Sequence, residues 1–107
     1  MDIGCIFCKI VNKEIPCKLE YEDELCMAFH DTNPRAKTHL LIIPKKHIPT
    51  VNQLTEQDEA SMGRIMITAK KMAKKFNIED YKLNISVGEK GGQEIFHLHM
   101  HLISAPN

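Results

Sequence analysis

The stretch Ile95-Phe96-His97-Leu98-His99-Met100-His101-Leu102-Ile103 places a histidine at every second position of an apolar run. Successive side chains of a β-strand point to opposite faces of the sheet, so this alternation predicts a strand over residues 95–103. One face of that strand would enter the core, and it carries Phe96, Leu98, Met100 and Leu102. The opposite face would carry the three histidines, His97, His99 and His101.

Three interpretations of this histidine face stay open from the residues alone: a metal site, a nucleophile with its supports, and three surface histidines. Histidines two apart on a strand stand roughly 6.5 Å apart and those four apart roughly 13 Å, whereas a zinc–nitrogen bond is about 2.0–2.1 Å. All three therefore cannot share one ion. A neutral imidazole can attack phosphorus while flanking imidazoles donate hydrogen bonds to phosphate oxygens. The loop Gly88–Gln93, just before the strand, would present main-chain N–H groups to an anion.

The rest of the pattern predicts an α+β domain built on an antiparallel sheet. Apolar runs predict four further strands, at Lys18–Tyr21, Leu25–Phe29, His39–Ile43 and Leu83–Val87. Between the last two, a long helix begins at the capping box Thr55-x-x-Asp58, and its apolar positions repeat at helical spacing to Phe76. A short helical turn over Cys5–Val11 comes first. No repeat or linker interrupts the pattern, so a single domain over residues 1–107 is expected.

Charge and composition argue against several classes of protein. Lysine and arginine total 14 and aspartate and glutamate total 14, so the basic field typical of proteins that bind nucleic-acid polymers is missing. No apolar stretch approaches the roughly 20 residues that span a bilayer, and the first residues lack the charged start and apolar core of a signal peptide. We therefore expect a cytoplasmic protein that does not bind membranes, with its four cysteines reduced.

The chain resembles the histidine-triad (HIT) family, whose signature is His-φ-His-φ-His-φ-φ with φ an apolar residue. His97-Leu98-His99-Met100-His101-Leu102-Ile103 fits that signature at every position. Similarity to the Hint branch of the family extends to five further segments, Ile6-Phe7, Lys13-Glu14-Ile15-Pro16, Ala28-Phe29-His30-Asp31, His39 through His47, and Gly91-Gly92-Gln93. The resemblance implies a five-stranded antiparallel sheet with one long helix and a short N-terminal helix. It also implies a symmetric homodimer with a ten-stranded sheet.

The same resemblance implies a role for each residue of a nucleotide site. His99 would be the nucleophile that attacks the α-phosphorus, giving a nucleotidyl-histidine intermediate that water hydrolyses. His39 and His101 would contact the phosphate, Gln93 would orient it, and Asp31 would bind the ribose hydroxyls. The base pocket would be walled by four residues that composition alone would assign to the core, Phe7, Ile10, Ile15 and Phe29. The substrate site would also include Gly92 and two departures from the Hint pattern: Glu94 where a serine beside the phosphate is frequent, and Ser86 where an asparagine is usual.

A metal site is also implied by the resemblance. Cys5-Ile6-Phe7-Cys8 forms a C-x-x-C pair, and some members of the family carry a structural zinc on two cysteines and two histidines. The matching ligands here are Cys5, Cys8, His47 and His97, a set of the kind that zinc favours. The alternative is a pair of buried thiols without a metal.

The expected function is that of an enzyme, a hydrolase that acts at the α-phosphate of purine nucleoside phosphoramidates or related nucleotidyl conjugates. The alternatives are a dinucleoside polyphosphate hydrolase and a non-catalytic, zinc-stabilised purine nucleotide-binding protein. A homodimer is expected as well, because an uncovered sheet edge is a liability. Its candidate apolar surface is Leu25–Phe29 together with the Lys70–Phe76 end of the long helix.

Overall fold

The computed structural model describes residues 4–106, and within them the elements follow the predicted order of one short helix, three strands, a long helix and two strands. The helices are α1 (Ile6–Val11) and α2 (Glu59–Lys75), and the strands are β1 (Leu19–Glu22), β2 (Cys26–His30), β3 (His39–Pro44), β4 (Tyr81–Asn84) and β5 (Met100–Ser104). Residues 1–3 and 107 lie outside the described residues. The predicted absence of a signal peptide and the two ends of the expected domain, residues 1–107, fall partly on them.

The strands within residues 4–106 form one five-stranded antiparallel sheet in the order β1-β2-β3-β5-β4, which confirms the predicted fold class. All six residues of the central strand β3 are buried, as expected for a strand covered on both faces. α2 covers one face and contributes Ile65 and Ala69 to the core there. α1 covers the other face, where Phe7 and Ile10 share a core cluster with Phe29.

The start of α2 agrees with its predicted signal. The side chain of Asp58 accepts the main-chain N–H of Thr55 at 2.9 Å, and Thr55 Oγ1 accepts the N–H of Gln57 at 3.2 Å. These bonds hold a 3₁₀ turn over Glu56–Asp58, from which the α-helix continues at Glu59. No helix among residues 4–106 has the length and apolar character that crossing a membrane requires.

The histidine strand is shorter than predicted, because β5 begins at Met100 instead of five residues earlier. Its pairing with β3 starts at the pair Ile42 and Met100. β3 ends two residues after Ile42 at Pro44, which has no N–H to continue the ladder. The carbonyl of Pro44 instead accepts the ring Nε2–H of His97 at 2.8 Å, so a side chain replaces the expected main-chain partner.

Two further features differ from the prediction, the exposure of Phe96 and the end of β4. Phe96, expected in the core, is 44% exposed because residues 95–97 form a bend in which the strand alternation is lost. Leu98, Met100 and Leu102 are buried as predicted. Strand β4 pairs with β5 only as far as Asn84, so it ends before the predicted residues 85–87.

Most of the apolar surface expected to mediate a dimer lies inside the protein, which corrects that choice of surface, although Leu25 and Phe76 are partly exposed. Residues 26–29 are at most 3% exposed, because β2 lies between β1 and β3 and both helices cover the sheet. At the end of α2, Met72 and Ala73 are buried and the exposed positions are lysines. The predicted surface therefore offers little apolar area to a second copy.

Candidate active site and metal centre

A cavity of about 790 Å³ opens on the face of the sheet that α1 covers. Its apolar wall includes the four residues predicted for a base pocket, Phe7, Ile10, Ile15 and Phe29. Its polar lining includes six more predicted residues, Asp31, Ser86, Gly92, Glu94, His99 and His101. His39 and Gln93, which were also predicted for the site, do not line the cavity.

The ring of His99 is held in one tautomer by the main chain. Its Nδ1 lies 2.8 Å from the carbonyl oxygen of His97, an atom that only accepts, so Nδ1 carries the hydrogen and Nε2 keeps a lone pair. The ring packs edge-on against Phe7, with 5.1 Å between the centroids. Burial lowers the pKa of His99, so the ring is neutral at cell pH. His99 therefore brings an unprotonated nitrogen to the cavity.

His39 and His101 form a hydrogen-bonded pair beside His99. The main-chain N–H of Arg35 donates to His39 Nδ1 at 3.1 Å, which places the hydrogen of a neutral His39 ring on Nε2. That Nε2–H donates to His101 Nδ1 at 2.8 Å, and Asp31 Oδ2 lies 3.4 Å from the same nitrogen of His39. Because His101 accepts at Nδ1, its own hydrogen is on Nε2.

Both rings of this pair are neutral at cell pH. Burial lowers the pKa of His39. Burial, reinforced by the neighbouring rings of His99 and His39, lowers the pKa of His101 to about 4. His101 is therefore a neutral hydrogen-bond donor at the cavity and not a second cation.

Asp31, His39 and His101 also lie close enough together to be considered as metal ligands, with one ligand atom of each within 4.8 Å of the others. A metal ion would require lone pairs from both rings. The nitrogen of His39 that faces His101 carries a hydrogen, since the other nitrogen accepts from Arg35. The three side chains are therefore arranged as a hydrogen-bond chain and not as a ligand set.

Several main-chain N–H groups of the glycine-rich loop Gly88–Gln93 form hydrogen bonds within the loop. The N–H groups of Gly91 and Gln93 both donate to the carbonyl of Gly88, at 3.1 and 3.0 Å, and the N–H of Gly92 donates to Glu89 at 3.0 Å. These bonds close a 3₁₀ turn, and Gly92 follows it with a φ of 95°, a left-handed conformation that favours glycine. The N–H groups of Gly91, Gly92 and Gln93 are therefore already used, and these three do not bind an anion as expected.

The amide of Gln93 supports this loop and has no hydrogen left for a phosphate. Its Oε1 accepts the N–H of Gly88 at 3.0 Å, and its Nε2 donates to the carbonyls of Pro49 and Ile95 at 2.7 and 3.0 Å. The residue is buried. The predicted contact of Gln93 with phosphate is therefore corrected to a role in holding the loop.

The four predicted metal ligands converge beside the cavity. The ligand atoms of Cys5, Cys8, His47 and His97 all lie within 4.8 Å of one another. The two Nδ1 atoms are 3.3 Å apart, Cys5 Sγ is 3.3 Å from His97 Nδ1, and Cys8 Sγ is 3.2 Å from His47 Nδ1. A tetrahedral zinc ion places two nitrogens about 3.3 Å apart, and a nitrogen and a sulfur about 3.6 Å apart. The observed spacings are close to those values.

The orientation of His97 suits a metal ligand. Its Nε2–H donates to the carbonyl of Pro44, so the lone pair of Nδ1 points toward the two sulfur atoms. Burial lowers the pKa of this fully buried ring and keeps it neutral, the form that binds metals. A carbonyl that fixes the outer nitrogen is the usual support of a metal-bound histidine.

The ligand group and the cavity are joined by two contacts. Phe7 lies in the chain between the two cysteines, and its ring packs edge-on against both His97 and His99, with centroids 5.9 and 5.1 Å apart. The carbonyl of His97 is also the group that holds Nδ1 of His99. The position of the ligand group therefore determines the position of the His99 ring.

Several residues of the cavity were missed by the sequence analysis, among them Cys17, Lys18, Arg35 and Asn84. Asn84 is the direct partner of His101 across the sheet, so correct bounds for β4 would have identified it. Arg35 contributes a main-chain N–H to His39, and no side-chain pattern predicts that bond. The Asn33-Pro34 turn indicated only a loop.

Comparison with known proteins gives one consistent answer. Residues 12–107 match the HIT domain family. A purine nucleoside phosphoramidase from Escherichia coli K12 is 44% identical over 100 residues, which cover 92% of this chain and 84% of that protein. A crystal structure of a HIT family hydrolase from Legionella pneumophila matches with a TM-score of 0.92 at 44% identity, covering 96% of this chain and 94% of the other. A HIT family hydrolase from Clostridium thermocellum matches with a TM-score of 0.96 at 38% identity, covering 100% and 95%.

Proposed function

The chain belongs to the HIT family, and we propose that it is a hydrolase that cleaves purine nucleoside phosphoramidates or related nucleotidyl conjugates at the α-phosphate. One observation carries the proposal: His99 holds an unprotonated Nε2 at a cavity of nucleotide size, beside the N–H of His101. Cavities of about 300–1,000 Å³ are typical of small-molecule sites. The activity named for the Escherichia coli relative supports the same reaction class.

In the proposed first step, Nε2 of His99 attacks the α-phosphorus and the phosphorus–nitrogen bond of the substrate breaks. The amine leaves with the electron pair of that bond and takes up a proton. His99 then carries phosphorus on Nε2 and hydrogen on Nδ1, so its ring is positively charged. The carbonyl of His97, which accepts from Nδ1, stabilises that charge. The Nε2–H of His101 donates to a phosphoryl oxygen that gains negative charge.

In the proposed second step, water attacks the same phosphorus and the bond to His99 breaks. The oxygen of water stays on phosphorus, one proton of the water passes to the solvent, and the products are the nucleoside monophosphate and a neutral His99 ring. Two displacements of moderate difficulty replace one difficult displacement, which is the general advantage of a covalent intermediate. Asp31 lies at the cavity and can accept two hydroxyl hydrogens, as binding of a ribose requires.

We further propose that Cys5, Cys8, His47 and His97 hold a structural zinc ion. The spacing of their ligand atoms and the fixed tautomer of His97 support this ion. When bound, zinc would supply cross-links between α1, the segment after β3 and the segment before β5. Thiolates must stay reduced to serve as ligands, which is consistent with a cytoplasmic protein.

We also propose a homodimer that uses the outer face of α2 and the free edge of β4. Met66 and Ile67 are 51% and 52% exposed, so two adjacent large apolar side chains of α2 face outward. A side chain added at Gly63 would meet nothing within 4 Å, so a second helix can approach closely there. β4 ends the sheet order, and its unpaired edge can pair with a copy of itself. Sedimentation should show a dimer at micromolar concentration, and Ile67→Glu should shift it to a monomer. A monomeric wild-type protein would contradict the proposal.

Turnover assays with two substrates test the proposed function. Adenosine 5′-phosphoramidate should be hydrolysed to the nucleoside monophosphate, and intact-mass spectrometry of rapidly quenched reactions should find the nucleotidyl adduct on wild-type protein but not on His99→Ala. Faster hydrolysis of diadenosine polyphosphate would favour the alternative hydrolase. Tight binding of the nucleotide with no hydrolysis of either substrate would favour the non-catalytic alternative.

A further inference from the structure

The loop between β2 and β3 folds back onto the ring of His39. The N–H of Asp31 donates to the carbonyl of His39 at 2.9 Å, and the N–H of Asn33 donates to Asp31 Oδ1 at 2.8 Å. This turn carries the N–H of Arg35 to 3.1 Å from His39 Nδ1. His39 is only 2% exposed, so water cannot easily replace a missing partner at that nitrogen.

We propose that the main-chain N–H of Arg35 is a positioning group for catalysis. By occupying Nδ1 of His39 it selects, through His39, the tautomer in which His101 offers Nε2–H to the phosphate. The inference rests on the proposed hydrolase function. Arg35 itself contacts neither His101 nor the reacting atoms through this bond, so its effect is transmitted by one ring.

The opposite tautomer of His39 would break its bond with Arg35 and reverse its bond with His101. With its hydrogen on Nδ1, His39 would place two donors face to face at Arg35 and would present a lone pair to His101. His101 would then donate from Nδ1 and turn the lone pair of Nε2 toward the negatively charged phosphate. Asp31 Oδ2 also favours a hydrogen on Nε2 of His39, but at 3.4 Å it is farther than a regular hydrogen bond of about 2.7–3.2 Å. The Arg35 N–H is the closer of the two selecting groups.

The main-chain group of Arg35 can be separated from its side chain by mutation. Arg35→Ala removes the guanidinium and keeps the N–H, whereas Arg35→Pro removes the N–H hydrogen. Lys37→Pro is the matched control, because it places a proline in the same loop at a residue whose N–H makes no hydrogen bond within residues 4–106.

The decisive measurement is the tautomeric state of each ring, read by NMR of protein labelled with ¹⁵N-histidine and assigned with His39→Gln and His101→Gln. The wild type, Arg35→Ala and Lys37→Pro should carry the hydrogen on Nε2 of both rings. Arg35→Pro should show a mixture of tautomers at both. A wild-type His39 with its hydrogen on Nδ1, or unchanged tautomers in folded Arg35→Pro, would overturn the proposal. If Arg35→Pro does not fold, a wild-type His39 with its hydrogen on Nδ1 would still overturn the proposal.

Kinetics test the catalytic consequence separately. Relative to Lys37→Pro, kcat of Arg35→Pro for adenosine phosphoramidate should fall about 10-fold while KM stays within about threefold, because a donor to the transition-state charge is partly lost. Equal kcat values in the two folded variants would overturn the catalytic role. If the tautomers are as expected but the wild type hydrolyses no nucleotide, the proposed function fails and the catalytic role fails with it, whereas the tautomer selection by Arg35 stands.

Discussion

Two histidine clusters lie side by side in this protein, and each brings ligand-type atoms within 4.8 Å of one another. In the first, His97 donates from Nε2 to the carbonyl of Pro44 and directs the lone pair of Nδ1 at two cysteines. The second is formed by Asp31, His39 and His101, and beside it His99 donates from Nδ1 to the carbonyl of His97 and keeps its lone pair on Nε2. The rings of His97 and His99 are two residues apart in sequence, and each donates one ring N–H to a main-chain carbonyl. The nitrogen that donates differs between them, so a different nitrogen keeps the lone pair and each ring suits different chemistry. Proximity alone does not separate the proposed metal site from the proposed catalytic site.

The largest expected effect comes from removing the free nitrogen beside the second cluster. His99→Ala should lower kcat at least about 10³-fold, as expected when a nucleophile is lost, while affinity for the nucleoside monophosphate stays within a few-fold. His101→Ala is the comparison variant and should lose about 10²-fold, since it removes a stabilising donor and not the attacking atom. Steady-state kinetics and calorimetric titration measure both quantities. Near wild-type turnover by His99→Ala would disprove the mechanism.

The first cluster should control stability more than affinity. Metal analysis of wild-type protein should find close to one zinc per chain, and Cys8→Ser should lose most of it. Because a structural metal contributes directly to folding, the Tm of Cys8→Ser should fall by about 10 °C or more. Cys17→Ser, which alters a thiol outside the ligand group, should keep its metal. If chelation abolishes activity without changing the fold, the metal is catalytic and His99 is not the nucleophile.

A pH titration should show that the second cluster is buried in its neutral form. The folded pKa of His101 is about 4, whereas the unfolded ring titrates near 6.5. Above pH 6.5 both states are neutral and the ring adds no pH dependence. Between about pH 6.5 and pH 4 only the unfolded state gains the proton, so stability falls as pH falls, by up to about 1.4 kcal/mol per pH unit. Chemical unfolding at several pH values should give a smaller slope for His101→Gln. Equal slopes would contradict the buried neutral ring.

The smallest expected effect concerns the choice between substrates. Glu94 lines the cavity and makes no ion pair with another residue of the described range 4–106. Its carboxylate can only accept hydrogen bonds, so it should disfavour an anionic leaving group more than an amine. Glu94→Ser should raise kcat/KM for diadenosine polyphosphate a few-fold and leave the phosphoramidate nearly unchanged. Equal changes on the two substrates would show that Glu94 does not select between them.

The order of the elements and about half of the residues that line the cavity were predicted from the sequence, because both depend on side-chain type and spacing. The order of helices and strands is as expected, and the four apolar residues of the predicted base pocket line the cavity. The failures occur where a main-chain group decides the outcome. Pro44 ends a ladder by lacking an N–H, and its carbonyl takes a ring as its partner. In the glycine-rich loop, the N–H groups of Gly91, Gly92 and Gln93 donate to carbonyls of the same turn. The presence of glycines does not predict these bonds.

The hydrogen bonds that run from Arg35 through His39 to His101 begin at a main-chain amide, and for this reason they cannot pass a proton along. An amide N–H does not surrender its hydrogen to imidazole at cell pH. If His101 gave its Nε2 proton to a departing amine and took one from His39, His39 would keep no hydrogen on either nitrogen. Such an anionic ring, 2% exposed and 3.4 Å from a carboxylate, would be strongly unfavourable. The hydrogen-bond chain is therefore a fixed dipole and not a proton wire, and in the proposed reaction the proton that completes the amine product would enter from the solvent side of the cavity.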